Sequence, residues 1–335
     1  MTISPTVRRW LAAALVLAAA VFIVRRIVTD LDQLRTFEWT LRPGLLALSV
    51  LLLSAVLLWG VVVWRLVLRT CGLRVPFRAL ARAWFLSNLS RYIPGVVWQF
   101  LTLAQLGPAV GLTPAVTVMS LLVQMGFLLL SAAAVGVWLL PLELAGALAP
   151  AIPVLRWMAP LTLLAVHPRV IAAGLRVAGR VTKREMPRWE GSWLGGMGIL
   201  LLSALSWCLY GGAFYLFLSA FVTLPLSALG AVTAMNALAF IVGYVVVIAP
   251  AGAGFKEGAL ALLLAGLVPP GVAAALAVAA RLWTIVGEAL PALLLAARRR
   301  PAADAVDVSR GDAEAQREPQ LPGSHRDTET QRENF

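Results

Sequence analysis

A chain of 335 residues that is 60% hydrophobic and 13% charged, with a mean hydropathy of +0.86, has too little polar surface for a soluble domain and groups with polytopic membrane proteins. The net charge of +12 is uneven: residues 1–300 hold 24 basic against 8 acidic groups, whereas residues 301–335 hold 4 against 8. Basic groups set in short loops between apolar runs act as orientation signals and contacts for anionic lipid headgroups, and without a basic-aromatic module they exclude a nucleic-acid surface.

From the N-terminus, Arg8-Arg9 precedes the apolar run Trp10–Val24, which ends at Arg25-Arg26. Ala18–Ala20 would suit signal cleavage, but apolar runs continue along the whole chain and favour an uncleaved first span. Leu45–Val63 is the second span, and the loop that follows carries Arg65, Arg69, Arg74, Arg78 and Arg82 with no acid, which predicts a cytoplasmic location. Ala83–Leu106 contains Asn88, Arg91, Gln99 and Gln105 and is interrupted at Pro94-Gly95. Proline removes a helical hydrogen bond and glycine allows a turn, so two half-helices joined at Arg91-Tyr92-Ile93-Pro94-Gly95 are predicted, re-entrant or lying at the interface.

Thr113–Leu140 is the next span, followed by an outside loop at Pro141–Pro150 that has no Lys or Arg. Ala151–Val166 is interrupted by Arg156 and too short for the hydrocarbon, which takes about 20 residues, so its span is placed from near Leu144. His167–Ser192 is the most basic loop, with Arg169, Arg176, Arg180, Lys183, Arg184 and Arg188 against Glu185 and Glu190, and should be cytoplasmic. Trp193–Phe221 and Leu226–Ala249 are two further spans joined by the uncharged turn Val222–Pro225.

The most informative stretch is Ile248–Gly258, where Pro250, Gly252 and Gly254 and the charged pair Lys256-Glu257 lie between apolar runs. Irregular backbone and charge at membrane depth are costly in hydrocarbon, so they point to a site enclosed by protein or water. A glycine turn that opens a helix also presents N–H groups and the positive end of the helix dipole to an anion. A dinucleotide fingerprint is excluded: Glu257 occupies the place of the third glycine, and no acidic residue follows at about 20 positions. Gly258–Val268, about 11 residues, is too short to cross alone. If Arg298–Arg300 at the end of the span Gly271–Ala297 is cytoplasmic, the short helix completes a crossing and Pro250–Glu257 dips into the membrane. Within that last span Arg281, Thr284 and Glu288 share one helical face. Residues 301–335 are polar and acidic without apolar periodicity, which predicts a disordered cytoplasmic tail after a membrane domain at 1–300.

Cys71 and Cys208 lack a CxxC or His-rich neighbour, and His167 and His325 lie far apart, so no disulfide framework, metal site or cofactor is expected. Asn236 and Gln124 suit interhelical hydrogen bonds better than ligand contacts.

Ser87-Asn-Leu-Ser-Arg-Tyr-Ile-Pro-Gly-Val-Val-Trp-Gln99 and Pro250-Ala-Gly-Ala-Gly-Phe-Lys-Glu-Gly258, followed by Arg281, resemble the two motif regions of the lysylphosphatidylglycerol synthase transmembrane-region family, also called flippase-like. The similarity runs to about Ala297. The family's second motif resembles Pro-x-x-Gly-Gly-x-Gly-x-Arg-Glu; Gly254 and Glu257 match it, Lys256 stands where arginine is usual, and Ala253 replaces a glycine. The resemblance implies the handling of polar lipids, such as aminoacylated phospholipids or polyprenyl-linked glycans. No soluble aminoacyl-transferase domain follows here, which speaks against lipid aminoacylation.

The expectation is therefore an all-α polytopic inner-membrane protein with cytoplasmic termini, seven full spans, one broken helix completing an eighth crossing, and one re-entrant pair. Its expected partners are membrane lipids, either an anionic phospholipid or a polyprenyl-linked headgroup, and envelope-synthesis enzymes. The expected substrate-binding residues are Arg91, Tyr92, Pro94, Gly95, Gln99, Gly252, Gly254, Lys256, Glu257, Arg281 and Glu288. Glu257 and Arg281 are predicted to pair, since a lone buried charge costs several kcal/mol. The alternatives are a polyprenyl-phosphate-dependent glycosyltransferase, for which Glu257 and Glu288 are the only intramembrane acids, and an accessory subunit of envelope assembly.

Overall fold

The computed structural model describes residues 28–90, 98–146, 149–183, 186–245 and 254–297, together with Val21 and Arg25. The described residues form α-helices and no strand: α1 Leu31–Thr36, α2 Pro43–Thr70, α3 Phe77–Ser90, α4 Trp98–Leu106, α5 Pro114–Leu139, α6 Ile152–Met158, α7 Leu161–Ala165, α8 Pro168–Thr182, α9 Trp193–Ser219, α10 Leu229–Val245, α11 Phe255–Leu264 and α12 Pro270–Ala297. The chain divides into two units, residues 1–296 and 297–335, and all that follows concerns the first.

Among the described residues, five stretches are long and apolar enough to cross a membrane: Pro43–Thr70, Pro114–Leu139, Trp193–Ser219, Leu226–Tyr244 and Pro270–Leu295. The fold is thus an all-helical, multi-pass membrane architecture, but the expected count of seven full spans is not reproduced among the described residues. Trp10–Val24 falls outside them except for Val21, as do the break at Arg91–Gly95, residues 246–253 with Gly252, and the tail.

The span placed between Leu144 and Val166 is corrected. Those residues hold two short helices, α6 and α7, separated at Ala159-Pro160. Proline at 153 starts α6 without an N–H to satisfy, and Pro160 interrupts the ladder. Arg156, which looked like an interruption of a span, turns back and donates from Nε to the Val137 carbonyl at 3.1 Å and from Nη2 to that of Leu140 at 2.8 Å. A cation thereby satisfies carbonyls at the end of α5, where the helix dipole is negative. The two loops read as basic are also largely helical. Arg65 and Arg69 lie on the last turns of α2, and Arg169, Arg176 and Arg180 lie on α8.

Contacts along the long helices fix their directions. Leu139 faces Gly230 and Gly136 packs against Leu238, so α5 and α10 run antiparallel. Ser49 meets Trp283 and Ser54 meets Gly287, so α2 and α12 run parallel. A methyl group on Gly287 would collide with Leu53, and one on Gly211 with Thr233; these small residues let helix backbones approach closely, as membrane interiors favour. Tryptophan N–H groups tie helices together: Trp64 to Ser120 Oγ at 3.1 Å, Trp207 to the Leu128 carbonyl at 3.0 Å, and Trp283 to Ser49 Oγ at 3.0 Å. Gly243 of α10 packs against Lys256 of α11, which sets these two helices side by side.

Candidate functional site

A cavity of about 470 Å³ lies between the long helices, and most of the site residues expected from sequence that the structure describes border it. Its charged wall is built by α11 and α12. Gly254, the N-cap of α11, has φ +85°, a backbone region open to glycine and strained for residues with a Cβ. The turn frees the first amides of α11, and Glu257 at the third helical position accepts the Gly254 N–H on Oε2 at 2.7 Å, half of a capping box. Its other oxygen, Oε1, receives Arg281 Nη1 from α12 at 2.9 Å. The pair expected from sequence is thus present, and both oxygens of the buried carboxylate are engaged.

Lys256 precedes Glu257 by one position, which rotates its side chain about 100° around the helix. It packs against Gly243 and holds Nζ 5.8 Å from the centroid of the Tyr210 ring, within cation–π range. Among the described residues its ammonium has no carboxylate partner. Thr284 and Glu288 also border the cavity from the Arg281 face of α12, and Glu288 is buried.

Among the described residues, the rest of the lining carries no charge. Gln99 of α4 donates to Asn88 Oδ1 of α3 at 2.7 Å, which joins the two half-helices beside the break. Gln124 of α5 donates to the Gly60 carbonyl at 2.8 Å, an interhelical bond as expected. Among the described residues, the amide nitrogen of Asn236 has no hydrogen-bond partner, nor does Trp84 Nε1, although both residues are buried and border the cavity. Asn236 therefore departs from the expected interhelical bond by that atom.

Sequence inspection missed the aromatic lining. Tyr210 stacks edge-on against Trp207 at 6.0 Å and Trp283 at 5.8 Å, while Phe214 and Phe217 pack on Trp283. The Trp207, Tyr210, Phe214 series on α9 follows helical spacing, which by itself marks only one face of a helix. Arg91, Tyr92, Pro94, Gly95 and Gly252 lie outside the described residues.

With this geometry, the comparison with known families is decisive: the family described as lysylphosphatidylglycerol synthase TM region matches residues 9–292. The chain belongs to this family. The match includes α1 to α11 and nearly all of α12, and so the whole described lining of the cavity. No curated protein and no solved structure matches the chain.

Among the described residues, no cluster of His, Cys, Asp or Glu could hold a metal ion. The described lining combines a cation near an aromatic ring, an ion pair, a buried carboxylate at Glu288 and uncharged amide side chains.

Proposed function

We propose that this member of the family binds the polar headgroup of a membrane lipid in the central cavity and carries it across the cytoplasmic membrane. Lys256 carries the proposal: it is a half-buried cation beside a cavity between membrane-spanning helices, and among the described residues no carboxylate lies within ion-pair distance of it. Arg281, by contrast, meets Glu257 and adds no net charge together with it. Lys256 therefore takes the lipid phosphate, while Gln99, Asn88 and Asn236 offer uncharged hydrogen-bonding groups to the remainder of the headgroup. Glu288 stands on the same wall, and Arg91, Tyr92, Pro94, Gly95 and Gly252 complete the site on the strength of the motif alone. The headgroup is an anionic phospholipid or a polyprenyl-linked phosphate. The excess of Lys and Arg on and around α8 and at Arg298–Arg300 supports a cytoplasmic side for α8 and the chain termini. The glycosyltransferase alternative is disfavoured because Glu257 has both oxygens engaged and is poorly placed as a base.

Native mass spectrometry of the purified protein and a proteoliposome scrambling assay with fluorescent phospholipids test this. The wild type should retain a phosphate-bearing lipid and accelerate its exchange between leaflets. Lys256→Gln should lose both by about tenfold or more, as for a charge-assisted hydrogen bond, with an unchanged melting temperature. Full lipid retention and exchange in Lys256→Gln would remove Lys256 from the site.

A further inference from the structure

Outside the cavity, α8 is the element whose surface the fold leaves least explained. It covers Pro168–Thr182, has the His167 ring nitrogen accepting the Arg169 N–H at its start, and buries only Leu175, with Ile171 half-buried against a cluster that includes Val67, Val166 and Ile199. At 100° per residue, its side chains fall into three separate sectors. Ile171, Leu175 and Ala178 form the face toward the protein. Val170, Val177 and Val181, at i, i+7 and i+11, form a second stripe about 110° away, and each is more than half exposed. Arg169, Arg176 and Arg180 repeat the same spacing one residue earlier, and so form a third stripe about 100° beyond the valines. No acidic residue lies on the helix.

A helix bathed in water has no reason to keep a continuous valine stripe exposed, and a helix buried in lipid has no place for three arginines. Both stripes are satisfied at once where acyl chains meet phosphates. The neighbouring chain is exposed and apolar as well: Trp157 is 87% exposed, and Leu161 and Leu164 are exposed on the residues leading into α8. Trp193, at the start of α9, donates to the Leu163 carbonyl at 3.0 Å, a tryptophan of the kind enriched at membrane boundaries. We infer that α8 is an interfacial anchor that binds an anionic lipid surface, with its valines in the acyl boundary and Arg169, Arg176 and Arg180 on headgroup phosphates. This does not depend on what the cavity transports.

The test uses the full chain with Cys71→Ser and Cys208→Ser, a nitroxide at position 177, and nanodiscs of phosphatidylcholine alone or with about a third phosphatidylglycerol. The label should be reached by oxygen more than by a nickel chelate. Hydrogen exchange of residues 168–182 should slow at least tenfold in the anionic discs, given about fivefold per basic residue near such a surface. Replacing all three arginines by glutamine should return exchange to its rate in phosphatidylcholine. Preferential access by nickel in both discs, exchange indifferent to anionic lipid, or shielding from both reagents, which would mean a protein partner or second copy covers the stripe, each overturns the inference. If the triple variant fails to fold, the comparison of the two discs with the native arginines still decides.

Discussion

Replacing Glu257 and Arg281 singly and together tests whether their contact clamps the broken segment to the last long helix. Glu257→Gln keeps the side-chain shape, but its amide can accept from either Gly254 N–H or Arg281, not both, and turns N–H groups toward a donor. It also removes the counter-charge 2.9 Å from Arg281. Arg281→Gln leaves the carboxylate, of which only 9% is exposed, with its backbone cap alone among these two bonds. Breaking one side of a buried pair costs about 3–5 kcal/mol, and because Arg281 is one-quarter exposed the lower end, about 3 kcal/mol, is expected for each. In the double variant two amides face each other and bond, so its cost should also be about 3 kcal/mol, a coupling of about 3 kcal/mol. On a scale of about 2–4 °C per kcal/mol, each single change lowers the melting temperature by on the order of 10 °C, and the double change lowers it by a similar amount, not twice as much. Intrinsic tryptophan fluorescence at a fixed lipid-to-detergent ratio reads all four proteins. A double-variant loss equal to the sum of the singles within about 0.5 kcal/mol would show that the contact is energetically idle.

Gly254→Ala forces a Cβ into a φ of +85° and should cost about 1–3 kcal/mol, read as a lower melting temperature; an unchanged value would mean that the turn relaxes. Arg156→Gln removes charge-assisted bonds to the Val137 and Leu140 carbonyls and should cost about 1.5–3 kcal/mol, with hydrogen exchange rising selectively at the end of α5. The Cys71 thiol, just past the end of α2, is pushed up to about 11 by burial and by Glu190, against a hydrogen bond with Thr70 that lowers it. Its thiolate is therefore scarce at neutral pH, and maleimide labelling of Cys71 in a Cys208→Ser protein should stay slow at pH 8 and rise steeply only toward pH 11; rapid labelling at pH 7 would contradict this burial.

The charged half of the site was legible in sequence because charge and glycine are conspicuous in an apolar chain. Lys256, Glu257, Arg281 and Glu288 stand out as charges in apolar surroundings, and α11 is too short for a crossing. The other half was not legible for a physical reason. A helix exposed to lipid on one side and protein on the other is apolar all round, so the periodicity that tells inside from outside in a soluble helix is erased along α9 and α5. Nothing local says that Tyr210 and Trp207 face the cavity while Leu201 and Leu205 face outward. Arg156 misled for a related reason: a charge in an apolar stretch was read as a flaw in a span, whereas it caps the helix before it. In α8 the signal was present, as two stripes at i, i+7 and i+11, but arginine counting alone labels the segment a loop.

The arrangement of α11 separates two tasks that the adjacent pair Lys256-Glu257 would otherwise confuse. Glu257 fixes the first turn, since one oxygen closes it onto Gly254 and the other ties it to α12. The stem of Lys256 is fixed in turn, between that clamped turn and Gly243, which has no side chain to push it aside. Because neighbours on a helix diverge by about 100°, the clamp faces α12 while the ammonium faces Tyr210 on α9. Electrostatically the clamp is a neutral dipole whose field falls off quickly, whereas Lys256 is a monopole resting on a ring that lowers its energy without cancelling its charge. Under the proposed function, an anion entering the cavity meets its charge at Lys256, in a position that the clamp sets. Loss of the clamp must appear first as lost stability, with binding impaired as a consequence. If Lys256 takes the headgroup as proposed, loss of its charge appears as lost binding in a protein that melts normally.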